Sequence, residues 1–261
     1  MERHRAEFRF YEELNDFLPG NRRKQTIAYV FHGHPGVKDA IEALGVPHSE
    51  VDLIVVNGRS VGFDYQLRPG DRVAVYPCFE AFDISPVVKL REAPLRRTAF
   101  VLDVHLGKLA RLLRLLGFDA LYRNDYDDYQ VINPAVAEHR IILTRDRGLL
   151  FHKVVTHGYY IRSSKAMQQA REVLDRFDLS ACVRPFRRCL ACNGIIEPVD
   201  KQSITHELQP LTRAHYTTFA RCGDCRRIYW QGSHYARLAE KLSRLAAGQT
   251  PRQEKAGDGL P

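Results

Sequence analysis

The sequence predicts a mixed α/β protein organised around a parallel sheet, and three observations predict this fold class. Two short apolar runs, Ala99 to Leu102 and Ile141 to Leu143, each lead within three residues to an aspartate, and an amphipathic helical segment lies between them. Parallel strands that end in this way gather carboxylates at one edge of a sheet. The residues before this region follow the order strand, strand, helix, strand, strand, and two CxxC pairs follow it.

Composition favours a nucleic-acid partner without proving one. The chain has 261 residues, a net charge of +8 and a pI near 9.2, which suits RNA or DNA but also serves solubility. Its apolar runs are shorter than the roughly 20 residues that span a bilayer. The first ten residues, MERHRAEFRF, are too charged for a secretory signal. We therefore expect a soluble, cytoplasmic protein with no membrane partner.

Residues 1–80 are predicted to form a β-grasp domain. Strands are predicted at Glu7–Tyr11, Thr26–Phe31, Asp52–Val56 and Arg72–Tyr76, with a helix from Val37 to Leu44 and a hairpin turn at Asn57-Gly58. The runs VVNGRSV and LRPGDRVAVYP resemble the small sulfur-carrier proteins of the ubiquitin-like superfamily. Those carriers react through a free C-terminal Gly-Gly, whereas this chain continues through Cys78. The resemblance therefore implies a positioning module or one that binds a protein partner, and disfavours sulfur transfer.

A linker and a phosphate-facing helix come next. Residues 81–98, with Pro86 and Pro94, are predicted to form a semi-rigid linker to a domain at 99–183. The helix after Asp103 carries an apolar face and stops at Gly117. Lys108 and Arg111 lie three residues apart near its start, where they either contact phosphates or simply form its solvated face.

An acidic stretch follows a predicted strand at 118–122. It contains Asp125, Asp127 and Asp128, and Asp128 could cap a helix as readily as bind a metal. Asn133-Pro134 resembles a cap followed by a first-turn proline, so a helix either begins there or kinks there. A further strand is expected at 159–162 and a further helix at 167–177.

The cysteines predict a structural zinc site in a ribbon at 184–247. Its ligands are Cys189, Cys192, Cys222 and Cys225, because two CxxC pairs that face each other complete a tetrahedral Cys₄ site. This segment has 11 Lys and Arg against 5 Asp and Glu, which favours nucleic acid. The predicted contacts are Arg187, Arg188, Arg226 and Arg227. Tyr229 and Trp230 either stack on bases or build the small ribbon core, and residues 248–261 are expected to be a disordered tail.

A family resemblance joins these parts. The runs FVLDVHLGKLARLLRLLGFD and RIILTRDRGLL, with Asp-Asp between them, resemble the Mut-seven C-terminal RNase domain family, which has a PIN-like nuclease fold. The resemblance continues through the cysteines and IYWQGSHY. With the ubiquitin-like segment it covers nearly the whole chain to about Arg237.

The resemblance implies a metal-dependent ribonuclease. The acidic residues that hold Mg²⁺ or Mn²⁺ and activate water in this class match Asp103, Asp128 and Asp146. Further candidate ligands are Asp125 and Asp127. Arg145 is a candidate contact to nucleic acid. Gln130 stands where such families often have another acidic residue. The alternative is therefore a catalytically weak RNA-binding or adaptor protein derived from a nuclease. Each aspartate also has a plain structural interpretation as a cap or turn residue.

Overall fold

The computed structural model describes residues 2–77 and 98–232, together with Leu242 and Leu245. Nearly all of the predicted linker, the predicted tail and Cys78 lie outside these residues. The chain divides into two compact units, one comprising Met1–Gly107 and Leu121–Arg162 and the other comprising Lys108–Ala120 and Ser163–Pro261. No helix among the described residues is long and apolar enough to cross a membrane.

The first unit contains a five-stranded sheet of the predicted β-grasp order. Its elements are β1 (His4–Phe10), β2 (Thr26–Phe31), α1 (Val37–Ala43), β3 (Val51–Val56), β4 (Arg59–Val61) and β5 (Arg72–Pro77), arranged as β2-β1-β5-β3-β4. β1 and β5 pair in parallel at the centre, and the other pairs are antiparallel. β4 is additional to the sequence prediction. It completes the predicted hairpin, whose turn residues Asn57 and Gly58 both have positive φ, as a type I′ turn requires.

Alternation along β1 builds the core of this domain. Ala6, Phe8 and Phe10 are buried beneath the sheet, and α1 covers the same face with Ala40 and Ile41. Between β1 and β2, the 3-10 helix Glu12–Phe17 buries Leu14 and Phe17 in this core. Another 3-10 helix, His48–Glu50, leads into β3.

The central region forms the predicted parallel sheet. Its elements are β6 (Ala99–Leu102), α2 (Gly107–Leu115), β7 (Asp119–Leu121), α3 (Asp128–Ala137), β8 (Ile141–Thr144), α4 (Arg147–Leu150) and β9 (Gly158–Tyr160), with strand order β7-β6-β8-β9. β6 pairs with β8 and β8 with β9, both in parallel. Every residue of β6 and β8 is buried, as expected for parallel strands covered on both faces.

The start of α3 decides between the two interpretations of Asn133-Pro134. The helix begins at Asp128 and encloses Pro134, so Asn133-Pro134 is neither its cap nor its first turn. Asp127 is the N-cap, because its side chain accepts a hydrogen bond from the Gln130 amide while the Gln130 side chain accepts one from the Asp127 amide. This reciprocal capping box outweighs the proline signal further along the helix.

The second unit contains α2 from Lys108 onwards and the cysteine-bearing sheet. Its later elements are α5 (Ala166–Arg176), β10 (Ile196–Val199), α6 (Lys201–Ile204), α7 (Pro210–His215), β11 (Phe219–Cys222) and β12 (Ile228–Trp230). The three strands pair antiparallel in the order β10-β11-β12. α2 buries Leu109 and Leu113, and Gly117 follows it with a φ of 98°.

Candidate active site and metal-binding cysteines

The ends of β6 and β8 bring Asp103 and Thr144 side by side. Leu102 is the register partner of Leu143 in the parallel pair, so the next residues on each strand are neighbours at the carboxyl edge of the sheet. The Asp103 amide continues the ladder by donating to the Leu143 carbonyl at 3.2 Å. A carboxylate and a hydroxyl therefore meet where parallel sheets usually place their functional groups.

Hydrogen bonds fix the Asp103 carboxylate, whose residue is only 6% exposed. Its Oδ2 accepts from the Thr144 hydroxyl and from the Arg145 amide, the latter at 2.8 Å. Its Oδ1 accepts from the His105 amide at 2.8 Å. A buried carboxylate needs such donors to offset its lost hydration, and here they also set its orientation.

Asp146 joins the same network through Thr144. Its amide donates to Thr144 Oγ1 at 2.8 Å, and its Oδ1 accepts from the Gly148 amide at 2.7 Å, which caps α4. Thr144 thus links the buried aspartate that follows β6 to the exposed aspartate that follows β8. Sequence reasoning did not single out Thr144. The only available signal was a polar residue at the end of an apolar run.

The acidic stretch is used differently at each position. Asp125 is exposed and forms a two-point ion pair with Arg123, at 3.0 and 2.8 Å. Asp127 caps α3, and Gln130 completes that cap. Asp128 is exposed in the first turn of α3. α3 connects β7 to β8 in chain order, as a helix that returns along a parallel sheet does.

The aspartates do not converge into a tight cluster. A metal site needs at least three His, Cys, Asp or Glu side chains whose ligand atoms lie close together. Within the described part of the chain, the four predicted cysteines form such a group, with all ligand atoms within 4.8 Å of one another, and the aspartates do not. The carboxyl edge therefore brings Asp103, Thr144 and Asp146 into one hydrogen-bonded network. It leaves Asp128 as a separate exposed carboxylate.

The four cysteines form a group that could hold a metal ion. The sulfur atoms of Cys189 and Cys225 are 3.5 Å apart, and those of Cys192 and Cys222 are 3.4 Å apart. A tetrahedral Zn–S₄ centre with bonds of about 2.3 Å separates its sulfurs by roughly 3.8 Å, so the arrangement is nearly that of a loaded site.

Matching turns carry the two CxxC pairs. The residue after each pair has a left-handed backbone, with φ of 72° at Asn193 and 62° at Arg226. Each of these residues also donates its amide to the carbonyl of the first cysteine of its pair, Cys189 or Cys222. Gly194 follows the first turn, where a Cβ would lie 2.9 Å from Cys222 Sγ. The chain approaches the sulfurs too closely there for a side chain.

The thiol pKa values of Cys189 and Cys192 move in opposite directions. Burial raises the pKa of the Cys189 thiol, but hydrogen bonds from the Tyr229 hydroxyl and from the amides of Cys192 and Ala191 outweigh burial and lower this pKa to about 6. Burial and the neighbouring thiols raise the pKa of Cys192 to about 12. Four thiolates would therefore need a bound cation to ionise together.

Family comparison identifies the chain. The model described as "Mut7-C RNAse domain" matches residues 98–242, more than half of the sequence. The protein belongs to the Mut7-C RNase domain family. The model described as "Mut7-C ubiquitin" matches residues 3–83, so the predicted family and the predicted fold class are both confirmed.

One curated relative of this Mut7-C protein is a human protein named "Exonuclease mut-7 homolog". The two are 40% identical over 110 residues, which cover 39% of this chain and 12% of the relative. The chain thus spans only a small part of that relative's length. No solved structure matches the chain.

The seven predicted nucleic-acid contacts of this Mut7-C protein fall into two groups. Six of them have exposed positions: Lys108, Arg111, Arg145, Arg187, Arg226 and Arg227. Arg188 instead forms an ion pair with the buried Asp119 at 3.1 Å and donates to the Asn193 carbonyl, so its guanidinium is engaged within the fold. Arg145 is exposed, and its backbone amide is the group that contacts Asp103.

The two ribbon aromatics have different surroundings. The Tyr229 hydroxyl contacts Cys189 Sγ at 3.0 Å and accepts from the Leu190 amide at 3.2 Å, which places Tyr229 at the cysteine cluster. Trp230 is 42% exposed and lies beside the Tyr216 ring, with centroids 6.3 Å apart. Of the pair, Trp230 is therefore the one with surface available to a ligand.

Proposed function

We propose that this protein is a metal-dependent ribonuclease that hydrolyses phosphodiester bonds of RNA at the carboxyl edge of its parallel sheet. The observation that carries the proposal is the hydrogen-bonded network of Asp103, Thr144 and Asp146 at the ends of β6 and β8. Membership of the Mut7-C RNase domain family and the name of the human relative support the reaction class.

The residues at this edge fit a partly hydrated Mg²⁺ or Mn²⁺. Such cations prefer oxygen ligands, and Mg²⁺ usually retains several waters while using only one or two protein carboxylates. Asp103 and Asp146 would hold the cation, and Asp128 would bind it directly or through water. When bound, the cation supplies a water of lowered pKa and neutralises charge on the phosphate. Asp125 and Asp127, occupied by Arg123 and by helix capping, are not part of the proposed site.

The chain's own groups orient these ligands and the substrate. Thr144 and the amides of His105 and Arg145 hold the Asp103 carboxylate in one orientation, and the Gly148 amide does so for Asp146. Both oxygens of the Asp103 carboxylate and Oδ1 of Asp146 are thereby fixed in direction. The exposed cations Lys108, Arg111, Arg187, Arg226 and Arg227 are proposed to bind phosphates of the RNA backbone.

We also propose that the cysteine cluster binds zinc in a structural role. Four thiolates complete the coordination of Zn²⁺ and leave no open position for catalysis. The ribbon would then serve as a rigid support for the basic surface. Zinc content near one atom per chain, lost in Cys192→Ser, is the expected result of metal analysis.

The decisive experiment compares three aspartate variants in cleavage of labelled RNA with Mn²⁺. Asp146→Asn keeps the oxygen that caps α4 but removes the charge, so we expect cleavage to fall by on the order of 100-fold with little change in stability. Asp128→Asn should reduce cleavage less if Asp128 acts through water. Asp125→Asn is the matched control and should retain activity, because that carboxylate is paired with Arg123. Equal activity in all three would refute the assigned site.

The second candidate is an RNA-binding or adaptor protein without cleavage activity. The separation of the carboxylates favours it, since the described aspartates do not form a compact ligand set. Gln130 no longer argues for it, because the capping box gives that residue a structural role. RNA binding that weakens with salt, without cleavage at any Mn²⁺ concentration, would establish this alternative.

A further inference from the structure

The helix that carries Asp146 at its start is too short to hold its own position. α4 has only four residues and follows Asp146 directly. Helices of a single turn are not stable in isolation, so contacts with other elements must fix it. Asp146, α4 and the described ubiquitin-like residues all lie in the first compact unit.

The ubiquitin-like domain contacts α4 at both ends. At the C-terminal end, the buried Ser49 hydroxyl donates to the Leu150 carbonyl at 3.0 Å. At the N-terminal end, Arg147 donates to the Asp16 carbonyl at 3.2 Å. Asp16 belongs to the 3-10 helix Glu12–Phe17 of the ubiquitin-like domain, and Ser49 belongs to its 3-10 helix His48–Glu50. The short helix is therefore bracketed by that domain.

The N-terminal contact is part of a larger cluster, here called the Phe17 cluster and defined as Asp16, Phe17, Arg147, Tyr160 and Arg162. The Arg147 guanidinium lies 5.2 Å from the centre of the Phe17 ring and 5.3 Å from that of Tyr160. The two rings meet edge to face at 5.8 Å. These distances are typical of cation–π and aromatic contacts, which favour one orientation of the guanidinium.

Arg162 makes the Phe17 cluster rigid. Its guanidinium also lies over the Phe17 ring, at 5.6 Å, and it donates to Asp16 Oδ2 at 2.7 Å and to the Tyr160 carbonyl at 2.8 Å. Arg162 therefore ties the end of β9 to the same two residues of the ubiquitin-like domain that hold Arg147. The receiving surface for Arg147 is thereby fixed before any ligand arrives.

The turn that carries Asp146 is consequently held from two directions. Thr144 fixes it on the side of Asp103, and the Phe17 cluster fixes the next residue, Arg147. We infer that the ubiquitin-like domain is a positioning part of the active site, and that Phe17 acts through Arg147 to set the place of the Asp146 carboxylate. This inference rests on the proposed nuclease function, because it takes Asp146 as a metal ligand.

Phe17→Leu tests the inference, with Phe31→Leu as its matched control. Both phenylalanines are buried in the same core, at 5% and 4% exposure, but Phe31 contacts His4 and Tyr29 rather than an arginine. Loss of groups that orient metal ligands typically costs 10–100-fold in metal affinity or activity. We expect Phe17→Leu to raise the Mn²⁺ concentration for half-maximal cleavage about tenfold, and Phe31→Leu to leave it unchanged.

Arg147→Lys separates positioning from direct contact with RNA. Lysine keeps the positive charge but lacks the planar group that lies over the rings. A positioning role predicts the same rise in Mn²⁺ requirement as Phe17→Leu, an unchanged KM for RNA, and no further loss in the double variant. A loss confined to KM would overturn the inference, since Arg147 would then contact the substrate itself.

Amide hydrogen exchange provides a readout that does not depend on cleavage. In Phe17→Leu the Gly148 amide, which donates to Asp146, should exchange faster than in the wild type and in Phe31→Leu. If Phe17→Leu matches its control in both exchange and Mn²⁺ requirement, the inference is wrong while the nuclease function stands. A wild-type protein that neither binds Mn²⁺ nor cleaves RNA would overturn the proposed function itself, and the inference with it.

Discussion

Replacement of Arg114 by methionine should both destabilise the second unit and loosen its cysteine cluster. Arg114 lies on α2 and is only 4% exposed. Its Nε donates to the Ala120 carbonyl at 2.8 Å, and one terminal nitrogen donates to the carbonyls of Leu190 and Ala191 at 3.2 and 3.0 Å. Leu190 and Ala191 are the two residues between Cys189 and Cys192, so this arginine braces the first CxxC turn.

The magnitude follows from these three contacts. Hydrogen bonds to a charged group contribute about 1.5–3 kcal/mol each, and two of the three share one nitrogen. Methionine retains most of the apolar stem but leaves the buried Ala120 carbonyl and the partly buried carbonyls of Leu190 and Ala191 without their donor. We therefore expect the free energy of unfolding to fall by about 3–5 kcal/mol, in the range seen when one partner of a buried charged interaction is removed.

Urea unfolding of the zinc-loaded protein measures the stability change, and the rate of metal transfer to a chromogenic chelator measures the state of the cluster. Arg111→Met is the control, because Arg111 is exposed on the same helix and should change stability by less than about 0.5 kcal/mol. If Arg114→Met lost less than about 1 kcal/mol and released metal at the wild-type rate, the bracing role would be refuted.

Three further changes test other parts of the account. In Gly117→Ala, the new Cβ would lie 2.0 Å from the Arg184 carbonyl oxygen, and the φ of 98° at this position is unfavourable for alanine. This variant should lose soluble expression or several degrees in Tm. Gly20→Ala is its control and should lose neither, because a Cβ at Gly20 would meet nothing within 4 Å. Asp127→Ala should reduce the free energy of unfolding by about 1 kcal/mol through loss of the α3 cap, and Asp127→Asn should restore most of it; a wild-type value for Asp127→Ala would disprove the cap. Arg226→Ala with Arg227→Ala should weaken RNA binding and reduce the slope of log affinity against log salt by about 2, whereas an unchanged slope would exclude these residues from the nucleic-acid surface.

Much of the fold was predictable because it depends on local patterns. The Asn57-Gly58 turn specifies a hairpin, the apolar runs at 99–102 and 141–143 specify buried parallel strands, and the CxxC spacing specifies two facing turns. Each of these signals is contained in a few consecutive residues. The structure follows them closely, apart from the added strand β4.

The contacts that organise the candidate site were not predictable in this way. The Thr144 link between Asp103 and Asp146 depends on the register of two strands about 40 residues apart, and periodicity does not encode that register. Phe17 is even further from Arg147 in sequence, and its apolar character indicates only that it is buried. Competition between local signals left the start of α3 open in the sequence, and the structure shows that the capping box at Asp127 outweighs Pro134.

The dependence of RNA cleavage on added Mn²⁺ is the sharpest test of a catalytic metal site at the carboxyl edge of the sheet. Zinc-loaded protein, passed through a weak chelator to remove loosely bound ions, is assayed at increasing Mn²⁺ concentrations alongside Asp146→Asn. We predict no cleavage without Mn²⁺, a saturable increase with it, and a strong loss of that response in Asp146→Asn. Cleavage at the full rate without Mn²⁺, or an identical Mn²⁺ response in Asp146→Asn, would contradict a metal site at the carboxyl edge of the sheet.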